Sequence, residues 1–282
     1  MDILIREERP EDYRAVELLT REAFWGFFAP SCDEHYLAHA LRTAPAFVPA
    51  LDLVAEADGQ LVGNVMYSLA KVVSETGEAR TVLTFGPLSV LPAWQGKGVG
   101  AALMRASLRK ARDMGYGAVA FFGHPDYYPR FGFRPAAEFG IHPAAGGDSD
   151  ALMAMALRDG GLDGVSGRFQ EDPVFQCDPA QVRAFDRLLP PKAPAEMVPM
   201  SVLTGALPEP ARGALAAKNL PYLSAMNQFS GRELLRWPGM DRAALSCINQ
   251  VLRDHGFAPK LPPESAILAR AQAGFRVLEE LD

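Results

Sequence analysis

The stretch from Thr81 to Gly115 constrains the fold more than any other part of the chain. A run rich in β-branched and aromatic residues, TVLTFGPLSV, ends at Leu91-Pro92-Ala93-Trp94, and Gln95-Gly96-Lys97-Gly98-Val99-Gly100 then leads into AALMRASLRKARDMG. This is a strand that stops at a proline, a glycine-rich turn and a helix. Glycines at these positions let the chain turn tightly and leave backbone amides bare. The helix that follows adds its own unsatisfied N–H groups and the positive end of its dipole, a combination suited to a phosphate or diphosphate. A Walker A loop is excluded, because no Lys-Ser or Lys-Thr pair closes the turn. A dinucleotide fingerprint fails as well: its last glycine would be Ala101, and the next strand, Ala118 to Phe122, has no acid for a ribose. A plain left-handed turn before a helix is the structural alternative.

The remaining pattern surrounds this unit with strands and helices. Asp2 to Arg6 reads as a strand, and Pro10 opens a helix through Phe24 with acids in its first turn. A second helix is predicted from Asp33 to Arg42. Its His35 and His39 have metal-ligand spacing, but Tyr36 stands where a zinc protease has glutamate, so a solvated or substrate-side face is the preferred reading. Leu51–Ala57 and Leu61–Val73 form a hairpin about Asp58-Gly59. In the helix after the glycine turn, Ala101, Met104, Leu108 and Ala111 point inward, Arg105, Arg109 and Arg112 point outward, and Gly115 ends it. A short helix is expected over Asp126 to Arg130, strands over Leu152–Leu157 and Val165–Phe169, and a helix over 178–189. Pro190, Pro191, Pro194 and Pro199 then mark a semi-rigid linker. The last third is helical in pattern: Ser230-Gly231-Arg232-Glu233 is a capping box, Asp241 is an N-cap for a helix ending near Gly256, and Ser265 to Leu281 is predicted as a terminal helix.

The 282 residues allow one large or two modest domains, and a hydrophobic fraction of 49% supplies a sizeable core. A net charge of −6 argues against a protein that coats nucleic acid along its whole length. Cys32, Cys177 and Cys247 are odd in number and far apart, which fits a reducing compartment without structural zinc. No signal peptide and no apolar run of membrane-spanning length is seen, so a cytoplasmic protein with no membrane partner is expected.

Gln95, Gly98 and Gly100 match the Q/R-x-x-G-x-G/A signature of the GNAT acyltransferases. The preceding Pro87-Leu88-Ser89-Val90-Leu91-Pro92 and the later Tyr127-Tyr128-Pro129-Arg130-Phe131-Gly132-Phe133 also resemble that superfamily, over roughly residues 1–175. The resemblance implies an α+β GNAT fold in residues 1–176, a mixed, mostly antiparallel sheet flanked by helices, and acyl transfer from coenzyme A, as acetyl-CoA, to an amine. It implies that backbone amides of Gln95, Gly96, Lys97, Gly98, Val99, Gly100 and Ala101 hold the diphosphate. Main-chain groups of Leu88, Ser89 and Val90 would pair with the pantetheine arm, and the N–H near Leu88 would polarise the thioester carbonyl. Gly86-Pro87 is consistent with a bulge that frees this edge. Tyr128 falls where the family has a tyrosine that protonates the departing thiolate, with a core aromatic as the alternative. The base is open: Val82 to Val90 lacks the glutamate many members carry, and His124, Glu22, Glu34 and Asp126 are the candidates. The family's asparagine ahead of the tyrosine is also missing, since Gly123-His124-Pro125 shortens that loop.

Past a helix and linker at 177–204, residues 205–262 resemble the C-terminal domain of the RNA polymerase α subunit. The matching residues include Asn219-Leu220-Pro221-Tyr222-Leu223, Glu233-Leu234-Leu235, Pro238, and Leu245, Ile248, Val251 and Leu252. This implies a small all-α, helix-hairpin-helix-like domain, followed by a helix over 263–282. That polymerase domain binds DNA and docks transcription factors. Here Asp241 replaces the glycine that offers its amide to phosphate, so a protein partner or a structural role is preferred over DNA. The competing reading from another class is a regulatory acyl-CoA-binding protein whose tail engages DNA or the transcription machinery. Acceptor identity and oligomeric state are not specified by these patterns.

Overall fold

Hydrophobic strands that cannot hide both faces alone set the architecture, seen here in a computed structural model that describes residues 2–27, 29–125, 127–229, 231–257 and 276–281. The chain divides into two units: Met1–Ala23, Asp33–Pro191 and Phe275–Asp282 form the first, and Phe24–Cys32 with Lys192–Gly274 form the second.

The first unit is a sheet with helices on both faces. It comprises β1 (Asp2–Glu7), α1 (Tyr13–Phe24), α2 (Glu34–Leu41), β2 (Leu53–Ala57), β3 (Gln60–Val73), β4 (Ala79–Val90), α3 (Val99–Asp113) and β5 (Ala118–Phe122). After these come β6 (Arg134–Pro135), β7 (Ile141–Pro143), β8 (Leu152–Ala156), β9 (Gly167–Gln170), α4 (Pro179–Asp186) and β10 (Arg276–Glu280). The strand order is β10-β1-β2-β3-β4-β5-β8-β6, and β9 joins β3 to β7. β1 with β10, β4 with β5 and β7 with β9 run parallel, and the other pairs are antiparallel. The β2–β3 hairpin turns at Asp58 (φ 50) and Gly59 (φ 76), both left-handed as its two-residue turn requires.

α3 covers one face. Its Val99, Leu103, Met104, Ala106 and Ala111 pack with Ile3, Leu53, Val65, Leu83, Phe121 and Phe133 in the largest core. Gly63 on β3 lets the helix come close, because a Cβ there would lie 2.9 Å from both Leu103 and Val99. On the opposite face, Leu37, Ala38 and Leu41 of α2 pack on Met66 with Phe47, Val174 and Phe175 alongside. Arg42 ties α2 inward, donating to Glu8 at 2.7 Å and Glu17 at 3.3 Å. His35 and His39 each face a carboxylate, Asp186 at 3.1 Å and Glu17 at 2.9 Å.

The second unit has helices α5 (Ser201–Ala206), α6 (Ala211–Ala216), α7 (Gly231–Leu234) and α8 (Arg242–Asp254). Leu203, Leu215, Leu223, Met226, Trp237, Ile248 and Leu252 make its own core. Asp241 caps α8, its carboxylate accepting from the Ala244 amide at 2.8 Å. Among the described residues, no helix is long and apolar enough to cross a membrane.

One element differs from its sequence pattern. The terminal helix predicted over 263–282 is replaced at Arg276–Glu280 by β10, which runs parallel to β1 from Asp2↔Arg276 to Arg6↔Glu280. The β1 edge gives this segment a strand to pair with, so tertiary context overrides local pattern. Residues 263–275 of that predicted helix lie outside the described residues, as do residues 258–262, Asp126 and Ser230.

Candidate active site

The site begins where β4 and β5 part. They pair at one register position, Leu83↔Val119, after which β4 keeps β3 on one side while β5 continues along β8. The β4 edge beyond Leu83 therefore faces a gap. A bulge sits there: Val65 opposes Leu88 and Tyr67 opposes Phe85, so β4 carries the extra residue at Gly86-Pro87, which is also a cis peptide. Leu88 and Val90 are half-buried beside the gap. Ser89 is buried and its hydroxyl donates to Thr20 of α1 at 3.0 Å.

At the far end of β4 the chain enters the glycine turn. Gly96 (φ 71) and Gly98 (φ 99) are left-handed, and a Cβ on either would meet nothing within 4 Å. Gly98 is the N-cap residue of α3, with no side-chain cap bond. The Ala102 amide donates to the Gly98 carbonyl at 3.0 Å, so the first turn of α3 opens with amides that have no intrahelical acceptor. The positive end of the helix dipole lies at this turn. The Gln95 side chain is committed elsewhere, donating to the Val90 carbonyl at 3.1 Å and so pinning the turn to the strand. Val99 is buried against the sheet. Lys97 lies 5.1 Å over the Trp94 ring, Arg130 lies 4.3 Å over the Tyr127 ring, and Arg105 lies 5.7 Å over Phe131. Three cations thus stand on aromatic supports around the turn and the 3-10 turn Tyr128–Phe131.

Tyr128 closes the α3 side of the gap. Its half-buried ring packs edge-on to Phe121 at 4.5 Å and lies 5.6 Å from Phe85 and 6.0 Å from Phe133. This apolar surround holds the phenol protonated, pushing its pKa up from the ordinary 10.0. Tyr127 turns toward the helix start, with its hydroxyl 3.5 Å from where a Cβ on Gly100 would stand. His124 leads into this segment, its carbonyl accepting from the Tyr127 amide at 3.0 Å.

Across the sheet lies a second set of groups. Thr84, one residue past the last β4–β5 pair, donates to Glu171 Oε1 at 3.4 Å. Burial raises the Glu171 pKa from 4.5. Glu34, in the first turn of α2, is pushed up to about 7 by burial, with like charge from Asp33 adding to it. Glu22 is exposed. Glu171 has no signal in the sequence, because its approach to β4 spans 87 positions.

Residues 51–135 match a family described as the acetyltransferase (GNAT) domain. Among curated proteins, the uncharacterized N-acetyltransferase YhbS of Escherichia coli K12 is 34% identical over 166 residues, covering 58% of this chain and 93% of YhbS. The uncharacterized N-acetyltransferase YjhQ of the same strain is 38% identical over 96 residues, which span 34% of this chain and 52% of YjhQ. Among solved structures, E. coli YhbS in complex with CoA matches at 31% identity and TM-score 0.55, covering 63% of this chain and 93% of that one. A GNAT family acetyltransferase from Brucella melitensis in complex with acetyl-CoA matches at 30% identity and TM-score 0.50, covering 61% and 97%.

Proposed function

The chain belongs to the GNAT family of N-acetyltransferases, and from that membership we propose that it transfers an acetyl group from acetyl-CoA to a primary amine, with the second unit serving recognition. The observation that carries this reading is the gap between β4 and β5, flanked at one end by the glycine turn that opens α3 and at the other by a protonated tyrosine. The residues present fit the donor: open space beside Gly96 and Gly98 and a free strand edge suit a diphosphate joined to an extended arm.

Acetyl-CoA, when bound, supplies the acetyl group as a thioester whose sulfur leaves as a thiolate. The chain's own groups do the rest. Amides from Gly96 to Ala101 would hold the diphosphate with the α3 dipole behind them, and Gln95 would act by fixing the turn to Val90. The free edge at Leu88, Ser89 and Val90 would take the arm as an added strand, and the Leu88 amide would polarise the carbonyl. Tyr128 would give its proton to the thiolate. Its raised pKa keeps the phenol protonated in the resting site.

For the second unit we favour a protein partner over DNA. The Asp241 carboxylate occupies the α8 N-terminus and would repel a phosphate there.

Titration calorimetry with acetyl-CoA tests the ligand, and Tyr128→Phe tests the acid. The variant is expected to bind acetyl-CoA like wild type while its kcat falls about 10²-fold, the usual contribution of a general acid. Wild type that releases no heat at millimolar acetyl-CoA refutes the reading. A Phe variant with full turnover removes Tyr128 from the chemistry.

A further inference from the structure

An amine arrives protonated at neutral pH, and β4 from Val82 to Val90 carries no acid to receive its proton. The fold supplies one from elsewhere. β9 is fixed to β3 through Lys71↔Gln170, so Glu171 is the first residue beyond that ladder. It lies over Thr84, the residue at which β4 leaves β5. Leu83 and Phe85 turn toward the α3-side core that also holds Tyr128, so Thr84 between them points to the other face. There its direct cross-strand partner is Ser68, whose buried hydroxyl has no hydrogen-bond partner among the described residues. The chain after Glu171 walls this corner. Asp172 is used as a cap, accepting from Val174 N at 3.0 Å, and the Phe175 ring stands 3.7 Å from where a Cβ on Gly86 would lie.

We infer that Glu171 is the catalytic base, taking the proton from the acceptor's ammonium group on the face of the sheet opposite Tyr128. The inference rests on the acetyl-transfer reading above. A half-buried carboxylate held by one hydroxyl, in a corner walled by an aromatic ring, is a stronger base than an exposed one, in keeping with its raised pKa. The other candidates are less well placed. Glu34 stands in the first turn of α2, where its Oε2 takes the Asp33 amide at 3.2 Å. His124 leads into the tyrosine segment, and Asp126 lies outside the described residues.

The protons balance. A primary ammonium loses two in becoming an amide. Glu171 takes the first and passes it to water. The nitrogen lone pair then forms the C–N bond as the C–S bond breaks, and Tyr128 protonates the departing thiolate. Glu171 takes the second nitrogen proton on its own face, and a proton from solvent restores the phenol. Acid and base on opposite faces let the nitrogen and the sulfur occupy opposite sides of the carbonyl carbon.

The test compares amines that need a base with amines that do not. Thiol release from acetyl-CoA is followed at pH 7 with a panel of alkylamines and spermidine, all protonated, and with trifluoroethylamine and hydroxylamine, both largely neutral. Glu171→Gln is expected to lose about 10²-fold or more with the protonated amines and to match wild type with the neutral ones. Thr84→Val, which removes the hydroxyl that orients the carboxylate, is expected to show the same selectivity with a smaller loss. Calorimetry with acetyl-CoA should give wild-type affinity for both, confirming that they fold. An equal loss with both amine classes, or no loss, overturns the assignment. So does a selective loss in Glu34→Gln in place of Glu171→Gln. Wild type that binds acetyl-CoA yet acetylates neither class overturns the transfer reading and the base with it, whereas wild type that acetylates while Glu171→Gln is unimpaired overturns the base alone.

Discussion

The Tyr128 ring is held among aromatic neighbours, Phe85, Phe121 and Phe133. A Cβ on Gly123 would stand 2.2 Å from a Phe121 ring carbon and 2.6 Å from a Tyr128 ring carbon, so only glycine lets the end of β5 pass beneath both rings. The same logic of burial applies to Glu34 with a consequence for stability. Its pKa rises from 4.5 to about 7 on folding, because burial disfavours the carboxylate. Between those values the folded chain keeps a proton that the unfolded chain has lost, so the contribution of Glu34 falls as pH rises from 4.5 to about 7 and is level above. The full shift corresponds to about 3 kcal/mol at most, and half-exposure of the side chain reduces it. Urea denaturation at a series of pH values is therefore expected to give a shallower decline for Glu34→Gln than for wild type across this window. Parallel curves would show that Glu34 ionises alike in both states.

At the scale of elements, β4, the glycine turn and α3 act as one device, and two of its glycines have separable duties. Gly98 is left-handed with open space around it, so Ala there strains the backbone without a clash, costing about 1–2 kcal/mol. Gly100 lies within the first turn of α3 with ordinary φ, and a Cβ on it would sit in normal contact with Tyr127 and Val90. Gly100→Ala is expected to leave stability unchanged or raise it by up to about 1 kcal/mol. Its affinity for acetyl-CoA should nonetheless drop about tenfold, a change of about 1.4 kcal/mol, because the methyl group adds bulk beside Tyr127 and Val90 at the start of α3. Thermal melts and calorimetry on the two variants measure these effects separately, and a Gly100→Ala protein with wild-type affinity would place the diphosphate elsewhere. This device was legible in the sequence because it is local: proline, glycines and a 3.6-residue stripe announce strand end, turn and helix within thirty-five residues, Thr81 to Gly115. The hairpin at Asp58-Gly59 and the Asp241 cap were legible for the same reason. The parting of β4 from β5 and the approach of Glu171 to Thr84 were not, since both depend on pairings between distant segments. The terminal strand was misread because Leu278 fits a helical stripe as well as a strand, and only the β1 edge decides between them.

For the whole molecule, β10 changes what the second unit is in topological terms. The chain leaves the first unit at Pro191 and returns to it at Phe275, so the helical unit is inserted within the sheet's sequence rather than hung from its end. It also takes Phe24–Cys32, the connection between α1 and α2. The returning strand covers the edge of β1, and Glu279 pairs with Arg109 on α3, tying the C-terminus to the helix that opens at the glycine turn. Edge strands left bare invite pairing between molecules. A chain ending at Phe257 keeps every described element of the second unit but loses β10, so it separates the two contributions. It is expected to lose about 1–3 kcal/mol of stability, a loss in the range of other single structural defects. It should also form concentration-dependent oligomers through β1, visible by light scattering, with acetyl-CoA affinity little changed because the glycine turn is intact. If the truncated chain melts with wild-type stability and stays at wild-type size, the β1 edge needs no cover.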